Sequence, residues 1–125
     1  MSGDALFPKP TLLHNPKCTK SRAAKALLDE RKVAYEERRY LERPLSAAEL
    51  AELRRRLDRP AREWLRAGED AFKAAGLSKN ASDEEILAAM AEHPILIERP
   101  ILILGSGAVV GRPTENIEAL LDEVD

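Results

Sequence analysis

A short apolar run, Thr11-Leu12-Leu13-His14, stops at Asn15-Pro16 and is followed two residues later by Cys18, the single cysteine of the chain. Proline fixes its own φ and disfavours helix at the residue before it, so Asn-Pro marks a turn and the run reads as a buried strand. Residues 19–32 are rich in Ala, Leu and Lys, which favour helix. Ala24, Leu27, Leu28 and Arg31 fall at helical spacing, and the three apolar positions supply an inner face. Residues 33–41 mix Val, Tyr and charge, the composition of a strand with one exposed face. A strand, a helix and a second strand packed into about thirty residues close as a right-handed parallel βαβ unit.

The middle of the chain reads as helical. Ser46-x-x-Glu49 and Ser82-x-x-Glu85 both fit the capping box, in which side chain and backbone satisfy each other's orphan groups. Leu50, Leu53 and Leu57 stripe the first of these helices, and Ile86, Leu87 and Met90 the second. Between them Pro60 opens a short helix with Trp64 and Leu65 inward, and residues 70–75 add a further turn or two. His93 then caps the second helix. The last third changes character. Ile101-Leu102-Ile103-Leu104, Gly105-Ser106-Gly107 and Ala108-Val109-Val110 read as a hairpin about a glycine turn. Thr114 caps a final helix with Ile117, Leu120, Leu121 and Val124 on one face. The expected fold is therefore α/β, a thioredoxin-like βαβ…ββα plan with a helical insert between the second and third strands. Residues 1–10, broken by Pro8 and Pro10, are expected to be a flexible lead-in to a single domain over residues 11–125.

With 125 residues the chain suits one domain, and 44% hydrophobic against 34% charged residues argues for a packed core. Twenty Lys plus Arg stand against 22 Asp plus Glu, a net charge of −2 that gives no basis for binding nucleic acid. The longest apolar run, Ile101 to Leu104, is far too short to span a bilayer, and the N-terminus lacks the apolar core of a signal peptide. One cysteine closes no internal disulfide, and one Cys with two His makes no metal site without carboxylates. The expectation is a cytoplasmic, reduced, monomeric protein with no bound cofactor.

Cys18 falls between a strand end and a helix start, where free amides and the helix dipole favour a thiolate. Each pK unit corresponds to about 1.4 kcal/mol, and a helix end supplies roughly 0.3–2 kcal/mol. Full ionisation near neutrality therefore calls for added positive charge or hydrogen bonds. His14, Lys17, Lys20 and Arg22 lie within sequence reach, along with any arginine folded in from elsewhere. Ser21 occupies the position of the second cysteine in a dithiol oxidoreductase, so a resolving thiol must come from another molecule. Its hydroxyl remains available to the thiolate or to a bound anion. A phosphatase loop needs arginine six residues after the cysteine; Ala24 stands there.

Three segments carry a family resemblance: His14-Asn15-Pro16-Lys17-Cys18-Thr19-Lys20-Ser21-Arg22, His93-Pro94-Ile95-Leu96-Ile97-Glu98-Arg99-Pro100 and Gly111-Arg112-Pro113. In this order they resemble the glutaredoxin-coupled arsenate reductases, over residues 11–121. The resemblance implies that Cys18, Arg66, Arg99 and Arg112 bind and reduce arsenate or a similar oxyanion. His14, Thr19, Ser21, Arg22 and Pro100 would support them, with Pro100 in the place of the cis-proline that faces the thiol in thioredoxin folds. Guanidinium suits the task because it stays charged and holds oxyanions bidentately. Glutathione would be the co-substrate and glutaredoxin the partner. Arg54, Arg55, Arg56 and Arg59, by contrast, read as a solvated helix face. Two other readings keep the fold: a general glutathione-dependent thiol oxidoreductase without arsenate turnover, and an Spx-like redox-responsive transcriptional regulator, from which Ser21 removes the Cys-x-x-Cys sensor.

Overall fold

The computed structural model describes residues 6–124, with the side chain of Val124 outside the described set. Its elements are β1 (Thr11–Leu13), α1 (Thr19–Glu30), β2 (Glu36–Arg38), α2 (Ala47–Leu57), a 3-10 turn (Ala61–Trp64), α3 (Asp70–Ala74), α4 (Asp83–Glu92), a second 3-10 turn (Pro94–Leu96), β3 (Ile101–Leu104), β4 (Gly107–Val110) and α5 (Glu115–Val124). The sheet order is β2-β1-β3-β4. β1 runs parallel to β2 and antiparallel to β3, and β3 and β4 form the expected hairpin. Gly105 takes φ +60° in its two-residue turn, a conformation that the missing Cβ makes inexpensive.

Alternation along the inner strands sorts the core into two layers. Leu12 and Leu102 point to one face, where Ala24 and Leu28 of α1 and Ile117 and Leu121 of α5 cover them. Leu13, Ile101 and Ile103 point to the other, against α2, α4 and the turns between them. Sheet faces buried on both sides explain why Ile101-Leu102-Ile103 is continuously apolar rather than alternating. The insert is thus the second covering layer of the sheet. Both of its long helices carry the expected capping boxes, with Ser46 Oγ accepting from the Glu49 amide at 3.1 Å and Ser82 Oγ from the Glu85 amide at 3.2 Å.

Three expectations need correction. The second strand is shorter than residues 33–41: β2 is limited to the three residues that β1 can pair, and Tyr40 beyond it is buried in the insert-side core. Residues 1–5 of the expected lead-in lie outside the described residues, but Phe7 is packed in the core and Pro10 O accepts the Glu36 amide at 2.7 Å. Arg56 is not on a solvated face. Its side chain is 2% exposed, with Nε 2.6 Å from Glu52 Oε2, Nη1 donating to Gly105 O at 2.8 Å, and the guanidinium over the Phe7 ring. Helical leucine spacing marks Leu53 and Leu57 as inward and does not reveal that Arg56, between them, ties α2 to the hairpin turn. Among the described residues no helix is long and apolar enough to cross a membrane.

Candidate active site

Cys18 is the N-cap of α1, with extended φ −98° and ψ 125°. Its amide donates to Asn15 O at 3.0 Å and its carbonyl accepts from the Arg22 amide at 2.9 Å, so the loop enters the helix directly at the thiol. Asn15 Oδ1 accepts the Lys17 amide at 3.0 Å, an Asx turn that explains why Asn precedes Pro16. The half-buried thiol is subject to opposing influences. Burial raises its pKa, but hydrogen bonds from the Ser21 and Lys20 amides and the nearby Arg99 guanidinium outweigh it, and the net direction is down. The thiolate is the favoured nucleophile here.

The loop is braced from behind by side chains that do not touch the sulfur. Ser21 is fully buried, its Oγ accepting the Asn15 amide at 2.9 Å and lying 2.7 Å from His14 Nδ1. The expectation that its hydroxyl serves the thiol is therefore corrected: the backbone N–H of Ser21 faces Cys18, and the hydroxyl faces His14. His14 itself is buried, and desolvation lowers its pKa, so it is a neutral brace rather than the cation beside the thiol. Arg22 lies on the exposed side, donating to Pro16 O at 2.9 Å and Thr19 Oγ1 at 3.3 Å. Thr19 and Arg22 thus staple the loop's outer surface.

The three arginines arrive from three different segments. Arg112 follows β4, where the Gly111 amide donates to Pro100 O at 2.8 Å. The approach is close: a Cβ at position 111 would sit 2.6 Å from Ile117 Cδ1 and 3.0 Å from Pro100 Cγ, so any larger residue makes both side chains shift. Arg112 Nη2 reaches Cys18 Sγ at 3.5 Å, and its Nε donates to Arg99 O at 2.5 Å. Arg99 precedes Pro100 through a cis peptide bond, and Arg112–Pro113 is also cis. Among the described residues, Arg99 Nε and Nη1 are buried without a hydrogen-bond partner. Arg66 is brought in by a strap in which Leu65 pairs antiparallel with Ile97. There the Arg66 amide donates to Leu96 O at 2.7 Å and the Glu98 amide to Trp64 O at 3.0 Å.

Two site residues carry no role in the sequence reading. Glu98 Oε1 lies 2.9 Å from Arg66 Nη1 and 3.2 Å from Arg112 Nε, linking the two guanidiniums; Glu69 holds the other side of Arg66 at 3.0 Å. Tyr40 is fully buried, and its hydroxyl has no hydrogen-bond partner among the described residues. Burial pushes its pKa up to about 12, against the pull of Arg99 and Arg66 and with a push from Cys18, which places the phenol among these charges. A tyrosine at the end of a charged strand gave no such signal. Glu98 lies within the His93–Pro100 segment, where nothing local distinguishes it from any acidic residue beside an arginine. No group of three or more His, Cys, Asp or Glu among the described residues is placed to hold a metal ion.

A nucleophilic cysteine at a helix N-terminus, with Arg112 on its sulfur, Arg99 beside it and Arg66 joined to Arg112 through Glu98, can attack an electrophilic centre carried by an anion. The comparisons agree with that geometry. The ArsC family model matches residues 13–120. A protein of Neisseria meningitidis named "Arsenate reductase" is 44% identical over 117 residues, covering 92% of this chain and all of that one. A Haemophilus influenzae protein of the same name is 35% identical over 112 residues, covering 88% and 97%. The solved structure described as an arsenate reductase from Vibrio cholerae superposes with a TM-score of 0.83 at 40% identity, covering 88% of this chain and 95% of that one. This chain belongs to the ArsC family, with its thioredoxin-like fold.

Proposed function

We propose that this protein reduces arsenate to arsenite, using Cys18 as nucleophile and Arg66, Arg99 and Arg112 to hold the oxyanion. The observation that carries the reading is the pair of buried, unpartnered Arg99 donors beside the thiol, with Arg112 Nη2 at 3.5 Å from the sulfur. Buried donors left without partners are costly, and such an arrangement is kept where a ligand's oxygens complete it. The names of the relatives point to the same substrate.

The Cys18 thiolate attacks arsenic, an As–S bond forms, and a hydroxide leaves with a proton as water. A second thiolate, from glutathione, then attacks Cys18 Sγ. The S–S bond forms as the As–S bond breaks, its electron pair stays on arsenic, and As(V) leaves as As(III). A glutaredoxin thiol removes glutathione from Cys18 and restores the thiolate. Two thiols supply the two electrons, so no bound cofactor is required. A chain with one cysteine needs this external route, because it has no internal partner for Cys18.

The test is arsenite release from arsenate with glutathione and glutaredoxin, comparing wild type with Cys18→Ser. Release that disappears in the variant supports the reading. No release from wild type, with Cys18 still alkylated faster than a free cysteine, replaces it with a general glutathione-dependent oxidoreductase.

A further inference from the structure

Glu98 already engages two of the arginines assigned above to the oxyanion. One oxygen, Oε1, gathers Arg66 Nη1 at 2.9 Å, Arg112 Nε at 3.2 Å and the Arg99 amide at 3.2 Å. Arg66 Nη1 and the Arg99 amide donate to that oxygen, while Arg112, whose Nε–H goes to Arg99 O, adds its charge; this anion-holding cluster is already filled by the chain's own carboxylate. Its charge balance follows. Two carboxylates, Glu98 and Glu69, already offset part of the positive charge of Arg66 and Arg112. A substrate anion therefore meets a reduced attraction until one of these moves. Glu98 has room to do so: its side chain is 26% exposed. It also borders two hollows, one of about 580 Å³ along β4 and α5 and one of about 350 Å³ beside Arg66 and Gly68.

Resting on the oxyanion reading above, we propose that Glu98 is an internal anion that substrate must displace from Arg66 and Arg112, and that it sets how tightly an anion must bind to reach the thiol. A monoanion brings no more charge than the carboxylate it would replace, so the exchange yields little. A tetrahedral dianion brings twice the charge and enough oxygens to reach all three guanidiniums at once, so it wins the exchange. The displacement cost is common to all anions, so Glu98 lowers every affinity by one factor and leaves weakly held monoanions too weak to occupy the site.

The experiment uses Glu98→Gln, which keeps the shape and removes the charge. The rate of Cys18 alkylation by iodoacetamide is followed against rising arsenate, sulfate (a dianion at every working pH) and nitrate (a monoanion). In Glu98→Gln the concentrations of arsenate and sulfate giving half protection fall at least tenfold, and that of nitrate falls by a similar factor. Without added anion, alkylation of the variant also reaches its plateau at lower pH, because Arg112 is no longer neutralised. Glu98→Ala gives the same directions if the glutamine variant folds poorly. Equal protection of wild type and variant by arsenate overturns the proposal and leaves the oxyanion reading intact. Weaker protection in the variants makes Glu98 a structural brace and likewise overturns it. No protection by arsenate in any of the proteins removes both the proposal and the reading it rests on.

Discussion

Arg99 and Arg66 make opposite demands on the fold, and replacing each with methionine separates binding from stability. Arg99 Nε and Nη1 are buried with no partner among the described residues, so the folded protein bears their desolvation cost without compensation. Arg66 is already satisfied on both sides by Glu69 and Glu98, at 3.0 and 2.9 Å. In the complex Arg99 gains two charge-assisted hydrogen bonds, each worth about 1.5–3 kcal/mol. Arg66 merely exchanges a carboxylate for an oxyanion. Taking the lower figure for both bonds, Arg99→Met loses about 3 kcal/mol of transition-state stabilisation, or about two orders of magnitude in kcat/KM. Arg66→Met loses about one order or less by the same argument.

Stability moves the other way. Arg99→Met removes buried, unpartnered donors and, at a pH below thiolate formation where Cys18 carries no charge to offset them, leaves the melting temperature unchanged or raised. Arg66→Met breaks a partly exposed ion-pair network worth about 0.5–1 kcal/mol, lowering the melting temperature by about 2–5 °C in a chain this size. The measurements are kcat/KM for arsenite formation and thermal unfolding followed by far-UV circular dichroism. Equal activity losses, or an Arg99→Met protein that melts several degrees below wild type at that lower pH, would refute the assignment of Arg99 as the donor reserved for substrate.

Three further outcomes are expected. Glu52→Ala removes the carboxylate that neutralises the buried Arg56 guanidinium and costs about 3 kcal/mol, read from urea unfolding, while Glu52→Ala/Arg56→Met recovers part of that loss. Because the Arg56 hydrogen bond lowers the Glu52 pKa against the effect of burial, this contribution is full above the unfolded carboxylate range. It fades as pH falls through the depressed folded value, so the wild-type advantage over Glu52→Ala shrinks in acid. Gly111→Ala forces Ile117 and Pro100 apart, costing about 1–3 kcal/mol and, by displacing Arg112 from Cys18, most of the activity; unchanged melting and turnover would contradict the 2.6 Å contact. Alkylation of Cys18 has its pH midpoint below that of a free cysteine, and Arg99→Met raises it. The thiolate stabilises the fold above the unfolded thiol pKa and that gain is lost as pH falls through the folded value, so the stability difference from Cys18→Ser grows with pH.

What could be read in the sequence was local or periodic. The Asn-Pro turn before Cys18, the two Ser-x-x-Glu boxes and the strand–glycine–strand hairpin each specify geometry within a few residues, and all recur in the structure. The limits of β2 were not local. They depend on how many residues β1 can offer for pairing, which the charged stretch after Val33 does not encode.

The site divides along the same line. Cys18 and its helix N-terminus follow from chain order, but a thiolate there also depends on side chains from remote segments. Arg112 reaches the sulfur because a glycine at 111 lets the chain pass against Pro100, and Arg66 arrives on a strap of two backbone hydrogen bonds to Leu96 and from Glu98. Family resemblance supplied these arginines, since no periodicity marks them. Glu98 and Tyr40 had neither periodicity nor an assigned role to announce them, and both sit among the site's charges. Glu98 reads in one dimension as an ordinary acidic neighbour of Arg99. In three dimensions its carboxylate joins Arg66 to Arg112, so the charge presented to substrate is a property of the assembled pocket and not of the arginine count.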